Sequence, residues 1–198
     1  MGAAAANPYV DVDDVGLVVA IARYHEDALA EAYRRHAGAV YALAARMLWE
    51  RMVAEEVVQE IFLRLWEQPE RFDRTRGALR SFLLMDTHAR SVDRIRADSR
   101  RRDREERSAR AEMVADYDID LEAYDLSVAE SVRDAVQSLS AGEREAIELA
   151  YFGGHTYREV ARILDQPEGT IKSRIRTGLT RLRTQLLDRG IDESWIVN

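Results

Sequence analysis

"GGHTYREVARILDQPEGTIKSRIRTGLTRLR", residues 153–183, contains two helix-like stretches with only a short turn between them. Thr156 stands three residues before Glu159, the spacing of a capping box, in which two side chains satisfy open backbone N–H groups at a helix start. In the second stretch, at about 100° per residue, Ile171, Ile175, Leu179, Leu182 and Leu186 fall on one face. That face is expected to close a core. Opposite it lie Gly169, Ser173, Thr177 and Thr180, which are small and polar or bare. Thr170, Lys172, Arg174, Arg176 and Arg181 flank this ridge.

A helix needing only solubility would more often point Glu, Lys or Gln outward. A bare ridge allows close approach to the floor of a nucleic-acid groove, and long cations at its edges reach the phosphate walls. A helix N-terminus adds a favourable position for a phosphate. The alternative is a solvated amphipathic helix in an ordinary hairpin. The short turn and the bare ridge favour the groove. So does a second capping box, Ser140 with Glu143, at the head of the preceding helix.

The rest of the chain also reads as helix. Proline occurs three times and glycine ten times in 198 residues, which permits long helices and disfavours a β-rich fold. Residues 14–50 carry apolar side chains at helical spacing (Leu17, Ile21, Ala22, Leu29, Ala32, Tyr33, Val40, Leu43, Ala44, Met47), with a break expected at 25–27. Val57, Val58, Ile61, Phe62 and Leu65 form a further stripe, and Pro69 ends that helix. Residues 71–77, "RFDRTRG", read as a loop, and helical spacing resumes through Leu79, Phe82, Leu83, Val92 and Ile95. The "FGGH" at 152–155 lacks a phosphate-loop pattern and reads as a helix end.

Charge is distributed unevenly. The formal net charge is −7, yet residues 88–110 carry nine Arg against five acids, and residues 167–183 carry five bases against one Glu. Between these basic islands, "AEMVADYDIDLEAYDLSVAES" has acids and no base. Two basic surfaces with an acidic bridge imply two contact regions and a linker. The chain has no cysteine, which excludes disulfides, thiolate metal sites and Cys nucleophiles and fits a reducing cytosol. No apolar run approaches the roughly 20 residues needed to span a bilayer, and the N-terminus lacks the basic start of a signal peptide. The expected location is therefore cytoplasmic, with no membrane insertion. His25, His36, His88 and His155 are scattered without ligand spacing, so no metal and no cofactor is expected. Nothing marks a nucleophile or an acid–base pair, and no catalysis by the chain is expected.

"LSAGEREAIELAYFGGHTYREVARILDQPEGTIKSRIRTGLTRLR" resembles the C-terminal domain of extracytoplasmic-function sigma factors. "LAEAYRRHAGAVYALAARML", "AEEVVQEIFLRLWE", "RFDRTRGALRSFLL" and "SVDRIR" resemble that family's domain 2, in order and spacing. The resemblance spans roughly residues 15–187. It implies an all-α fold with two small helical domains joined by an acidic linker, the second a helix-turn-helix. The implied division is an N-terminal tail at 1–14, domain 2 at 15–105, the linker at 106–127, domain 4 at 128–187 and a C-terminal tail at 188–198.

The implied role is promoter recognition as a dissociable RNA polymerase subunit. Glu56, Gln59, Glu60, Phe62 and Arg64 would bind core RNA polymerase, whose large-subunit clamp and flap are the implied partners. Phe72, Asp73, Arg74, Arg76, His88, Ala89, Arg90, Asp93 and Arg94 would hold the single-stranded minus-ten element. Thr156, Glu168, Gly169, Thr170, Lys172, Ser173, Arg174, Arg176, Thr177 and Arg181 would meet minus-thirty-five duplex DNA. Ala89 stands where the family often has Asn, which leaves the minus-ten preference open. The existence of an anti-sigma factor also stays open. Two other readings compete with a sigma factor: a helix-turn-helix activator that binds duplex DNA without polymerase, and a helical adaptor that binds only protein.

Overall fold

The computed structural model describes residues 7–105 and 134–189. The acidic linker at 106–127, residues 1–6 of the expected N-terminal tail and residues 190–198 of the expected C-terminal tail lie outside these residues. The first unit comprises α1 (Asp14–Ile21), α2 (Glu26–Met47), α3 (Arg51–Glu67) and α4 (Leu79–Glu105). The second comprises residues 134–137, which are helical, then α5 (Ala141–Ile147), α6 (Tyr157–Ile163) and α7 (Glu168–Asp188). Among the described residues there is no strand.

Asp13 starts α1 by accepting a hydrogen bond from the Gly16 N–H at 2.7 Å. Tyr24, at φ 61°, turns the chain into α2 near the expected break. The core of this unit is built from Leu17, Ile21, Val40, Ala44, Val57, Ile61, Leu65, Leu79 and Leu83, which include the expected α3 stripe. Ala22 and Tyr33, expected inside, are exposed; Val18, Ala20 and Ala28 are buried instead. Glu31, 1% exposed, takes hydrogen bonds from Arg34 and Arg35. Arg35 also donates to the carbonyls of Tyr9, Val10 and Val12, tying the N-terminal segment to α2. The loop after α3 contains two single 3-10 turns, Pro69–Arg71 and Arg74–Arg76.

The second core is small: Ala146, Val160, Ile171 and Ile175, with Ile147, Leu149 and Leu164 packed around it. Both expected capping boxes form, Ser140 with Glu143 and Thr156 with Glu159. The "FGGH" segment does end a helix. Residues Glu148–Phe152 make a π turn, Gly153 follows, and Gly154 takes φ 66° before α6 begins.

One position on α7 departs from the helical wheel. Leu179, expected in the core, is 50% exposed, and Gly178 is buried in its place. A Cβ on Gly178 would stand 2.7 Å from Ile147 Cδ1 and 3.3 Å from Glu143 Cβ. The helices α5 and α7 cross at this glycine. The buried line therefore runs through 171, 175 and 178, and Leu179 falls outside it.

Candidate nucleic-acid and polymerase interface

The turn into α7 is tight: Asp165 takes φ 48°, and Pro167 caps the helix, its carbonyl accepting from the Thr170 N–H at 2.9 Å. Gly169, Lys172, Ser173, Arg176, Thr177 and Thr180 are exposed, so the bare ridge faces outward. The cations expected beside it separate into two groups. Lys172 pairs with Glu168 at 2.7 Å within the first turn, and Arg158 of α6 approaches the same carboxylate at 3.8 Å. The Lys172 ammonium beside Glu168 holds that carboxyl below its usual range. Arg174 instead leans toward the start of α5: its guanidinium carbon lies 3.2 Å from where a Gly142 Cβ would sit, and it donates to Gln166 at 3.4 Å. Arg181 donates to Glu143 at 2.7 Å across the α5–α7 crossing. Both reach partners within their own unit, Arg174 half-buried and Arg181 exposed. The Thr156 hydroxyl is occupied by the cap with Glu159.

On the first unit, α3 presents Glu56 and Gln59 as exposed side chains and Glu60 as half-buried. Phe62 is a correction to the expected contact set. It is 4% exposed and its ring packs at a tilt against Tyr33 with centroids 4.8 Å apart, so it supports α3 from within. Arg64 points across to Asp86 of α4, at 3.3 Å.

In the loop, Asp73 accepts from the Thr75 N–H at 2.9 Å and hydroxyl at 2.7 Å, while Arg74 and Arg76 are exposed. Phe72 is half-buried and meets Phe82 edge-on, with centroids 5.8 Å apart. It packs against the core with part of its surface open. On α4, Ala89 and Asp93 are exposed. Arg94 donates to Glu56 at 3.0 Å and to Glu60 at 2.5 Å, and Arg90 lies 4.0 Å from Glu60. The sequence reading placed these carboxylates and arginines on different partners; the fold puts them side by side, because α4 packs along α3.

Sequence reasoning also missed a contact between the two units. The His88 ring stacks on Tyr151, centroids 4.0 Å apart, and His88 Nε2 donates to the Tyr151 carbonyl at 2.9 Å. Arg46 of α2 lies over the Phe152 ring at 4.3 Å. No spacing in the sequence signals this, since the pair is 63 positions apart.

Two helical units, the second carrying an exposed small-residue ridge on the last helix of a helix-turn-helix, define a DNA-binding protein of the all-α class. Residues 32–101 match the Sigma-70 region 2 model and residues 129–182 the Sigma-70 region 4 model. The chain is 36% identical over 183 residues to the ECF RNA polymerase sigma factor SigK of Mycobacterium tuberculosis, covering 90% of this chain and 96% of that one. It is 38% identical over 179 residues to SigK of Mycobacterium ulcerans, covering 88% and 94% respectively. The chain belongs to the ECF sigma factors, alternative sigma subunits that direct transcription initiation. Among solved structures it is similar to RpoE in the complex with the anti-sigma factor NepR from Bartonella quintana, at 25% identity and TM-score 0.40, covering 79% of this chain and 95% of that one. It is also similar to CnrH in complex with the cytosolic domain of CnrY, at 22% identity and TM-score 0.38, covering 90% and 99%. The assignment rests on the sequence relatives. Among the described residues no helix is long and apolar enough to cross a membrane.

Proposed function

We propose that the two units divide the work of promoter recognition as follows. The α3 face of Glu56, Gln59 and Glu60 docks on the polymerase clamp. The loop at Asp73, Arg74 and Arg76, with His88, Arg90 and Arg94 of α4, holds the separated minus-ten strand. The N-terminal half of α7 enters the major groove of the minus-thirty-five duplex. The acidic linker at 106–127 lies along the RNA path, and the protein acts in the cytoplasm without chemistry of its own.

The observation that carries this reading is the exposed ridge of Gly169, Ser173 and Thr177 beside Lys172 and Arg176. Small side chains admit a groove floor and the cations reach its phosphates. Stacking contributes less than charge to strand holding, because it returns about 1–3 kcal/mol per base and Phe72 is half-buried against Phe82. The grip then rests on cations and backbone, so both promoter elements must be good for opening to occur. The test is transcription from duplex and forked promoters with purified core enzyme. Initiation that requires both this chain and core supports the division. A footprint by the chain alone, with no dependence on core, would sink it.

A further inference from the structure

The loop between α3 and α4 is fastened to α4 at two neighbouring residues. Phe72 meets Phe82 edge-on, with centroids 5.8 Å apart, and the Arg71 guanidinium lies 3.9 Å from the Asp86 carboxylate. Phe82 and Asp86 are four positions apart, so one face of α4 receives two consecutive loop residues. Asp86, its side chain 12% exposed, also pairs with Arg64 of α3 at 3.3 Å. One turn further along α4, Arg90 faces Glu60 of α3 at 4.0 Å. Two ion pairs of opposite order therefore close the α3–α4 seam, and for that seam Arg64 is partner enough. Arg71 is additional. It belongs to the first 3-10 turn of the loop, three positions before Arg74. At the loop's other end Gly77 takes φ 135°, with nothing within 4 Å of a would-be Cβ, so that end is not wedged in place.

We propose that Asp86 is a positioning residue for the minus-ten loop: by holding Arg71 beside the Phe72–Phe82 contact, it sets where Arg74 and Arg76 stand relative to the strand-holding side chains of α4, and so how selectively the melted strand is read. This rests on the reading that the loop and α4 hold that strand. The chemistry suits the place. An acid beside a DNA strand repels phosphate, and a mostly buried carboxylate needs charged partners. Two guanidiniums, at 3.3 Å and 3.9 Å, offset the Asp86 charge, and the loop itself carries one of them. Arg71 is exposed, so its pair adds little to folding and acts on where the loop sits.

The test uses holoenzyme and a forked DNA library randomised across the single-stranded minus-ten positions, with the bound fraction sequenced. Asp86→Asn keeps the shape of the side chain and removes its charge. It should flatten base enrichment about two- to fivefold at the positions the loop reads, the range of a partly exposed ion pair. Arg71→Ala changes an exposed residue, which leaves the fold intact, and should flatten the same positions. The double variant should be no worse than either alone, since both remove one contact. Asp86→Glu retains the charge and should retain the pattern. An unchanged pattern in Asp86→Asn or in Arg71→Ala, or additive losses in the double variant, would overturn the proposal. A lower melting temperature of Asp86→Asn beside an unchanged pattern would leave Asp86 as a brace between α3 and α4. The strand-holding reading is checked separately by the double variant Arg74→Ala with Arg76→Ala. If that variant binds forked DNA less tightly while Asp86→Asn keeps the pattern, the positioning alone fails. If it binds forked DNA as tightly as the unmodified holoenzyme, the loop does not hold the strand, and the positioning falls with it.

Discussion

Arg94 donates to Glu60 at 2.5 Å and to Glu56 at 3.0 Å, joining an arginine proposed to hold DNA to two carboxylates proposed to meet polymerase. All three side chains are at least one-third exposed, so each pair contributes within about 1 kcal/mol to stability. The contact therefore matters more for who is free to bind than for the fold.

Arg94→Ala should leave both carboxylates without this partner. The expected outcome is core affinity equal to or above that of the unmodified chain, weaker binding of a melted minus-ten strand by the holoenzyme, and a melting temperature nearly unchanged. Glu60→Gln should do the reverse, weakening core binding and leaving Arg94 available to the strand. Anisotropy titrations with core and with a forked template read both. Parallel loss of core and strand binding in both variants would mean that the trio acts only as a brace between α3 and α4.

Glu31 sets a pH dependence. Its carboxyl is held down to about 2, first by the Arg34 hydrogen bond and then by Arg35, against an ordinary value of 4.5. A carboxyl lowered in the folded state stabilises fully above its unfolded value and loses that contribution as pH falls toward the folded one. Stability should therefore decline between about pH 4.5 and about pH 2. Glu31→Gln should be less stable at neutral pH and show a flatter acid limb in urea denaturation. An unchanged limb would assign the acid sensitivity to other carboxylates.

The α5–α7 crossing gives a packing test. Gly178→Ala forces a methyl against Ile147 and Glu143, and overpacking of this kind costs about 1–3 kcal/mol. Leu179→Ser changes a half-exposed side chain and should stay within about 0.5 kcal/mol. Chemical denaturation of the two variants compares them directly. Equal losses would put Leu179 inside a core it does not enter in this fold.

That crossing also shows what the sequence could tell. The α3 stripe, both capping boxes and the helix end at the two glycines were legible, because each is set by neighbours within about one or two helical turns. Gly178 was not: a wheel assigns faces by side-chain polarity, and a glycine packed for close approach has no side chain to read. The same limit hid the Arg94 pairs and the His88–Tyr151 stack. They join residues 34, 38 and 63 positions apart, and nothing local announces a partner at that distance. The helical wheel and the family resemblance place Arg174 and Arg181 beside the groove; their partners Gln166 and Glu143 are brought near only by the packed hairpin.

The cations of α7 should consequently fail in different ways. Lys172 is exposed in the first turn, and its loss should weaken binding to every sequence and lower the magnitude of the salt slope by about one unit, since one fewer counterion is released. Arg176 is exposed beside Ser173 and Thr177. Its loss should cost about 1–3 kcal/mol and relax preference at one base pair, as expected when a bidentate contact to guanine is removed. Arg181→Ala should leave the salt slope and base preference alone. It deprives Glu143, whose side chain is 8% exposed, of its ion-pair partner, and should lower the melting temperature of the second unit. Arg174→Ala should resemble Arg181→Ala more than Arg176→Ala, because its guanidinium lies against Gly142 and Gln166. The measurement is holoenzyme binding across a salt series on single-position variants of the minus-thirty-five element, with thermal melts of each protein beside it. If Arg181→Ala relaxed base preference while Arg176→Ala only lowered the melting temperature, the groove-facing side of α7 would have been assigned to the wrong edge of the helix.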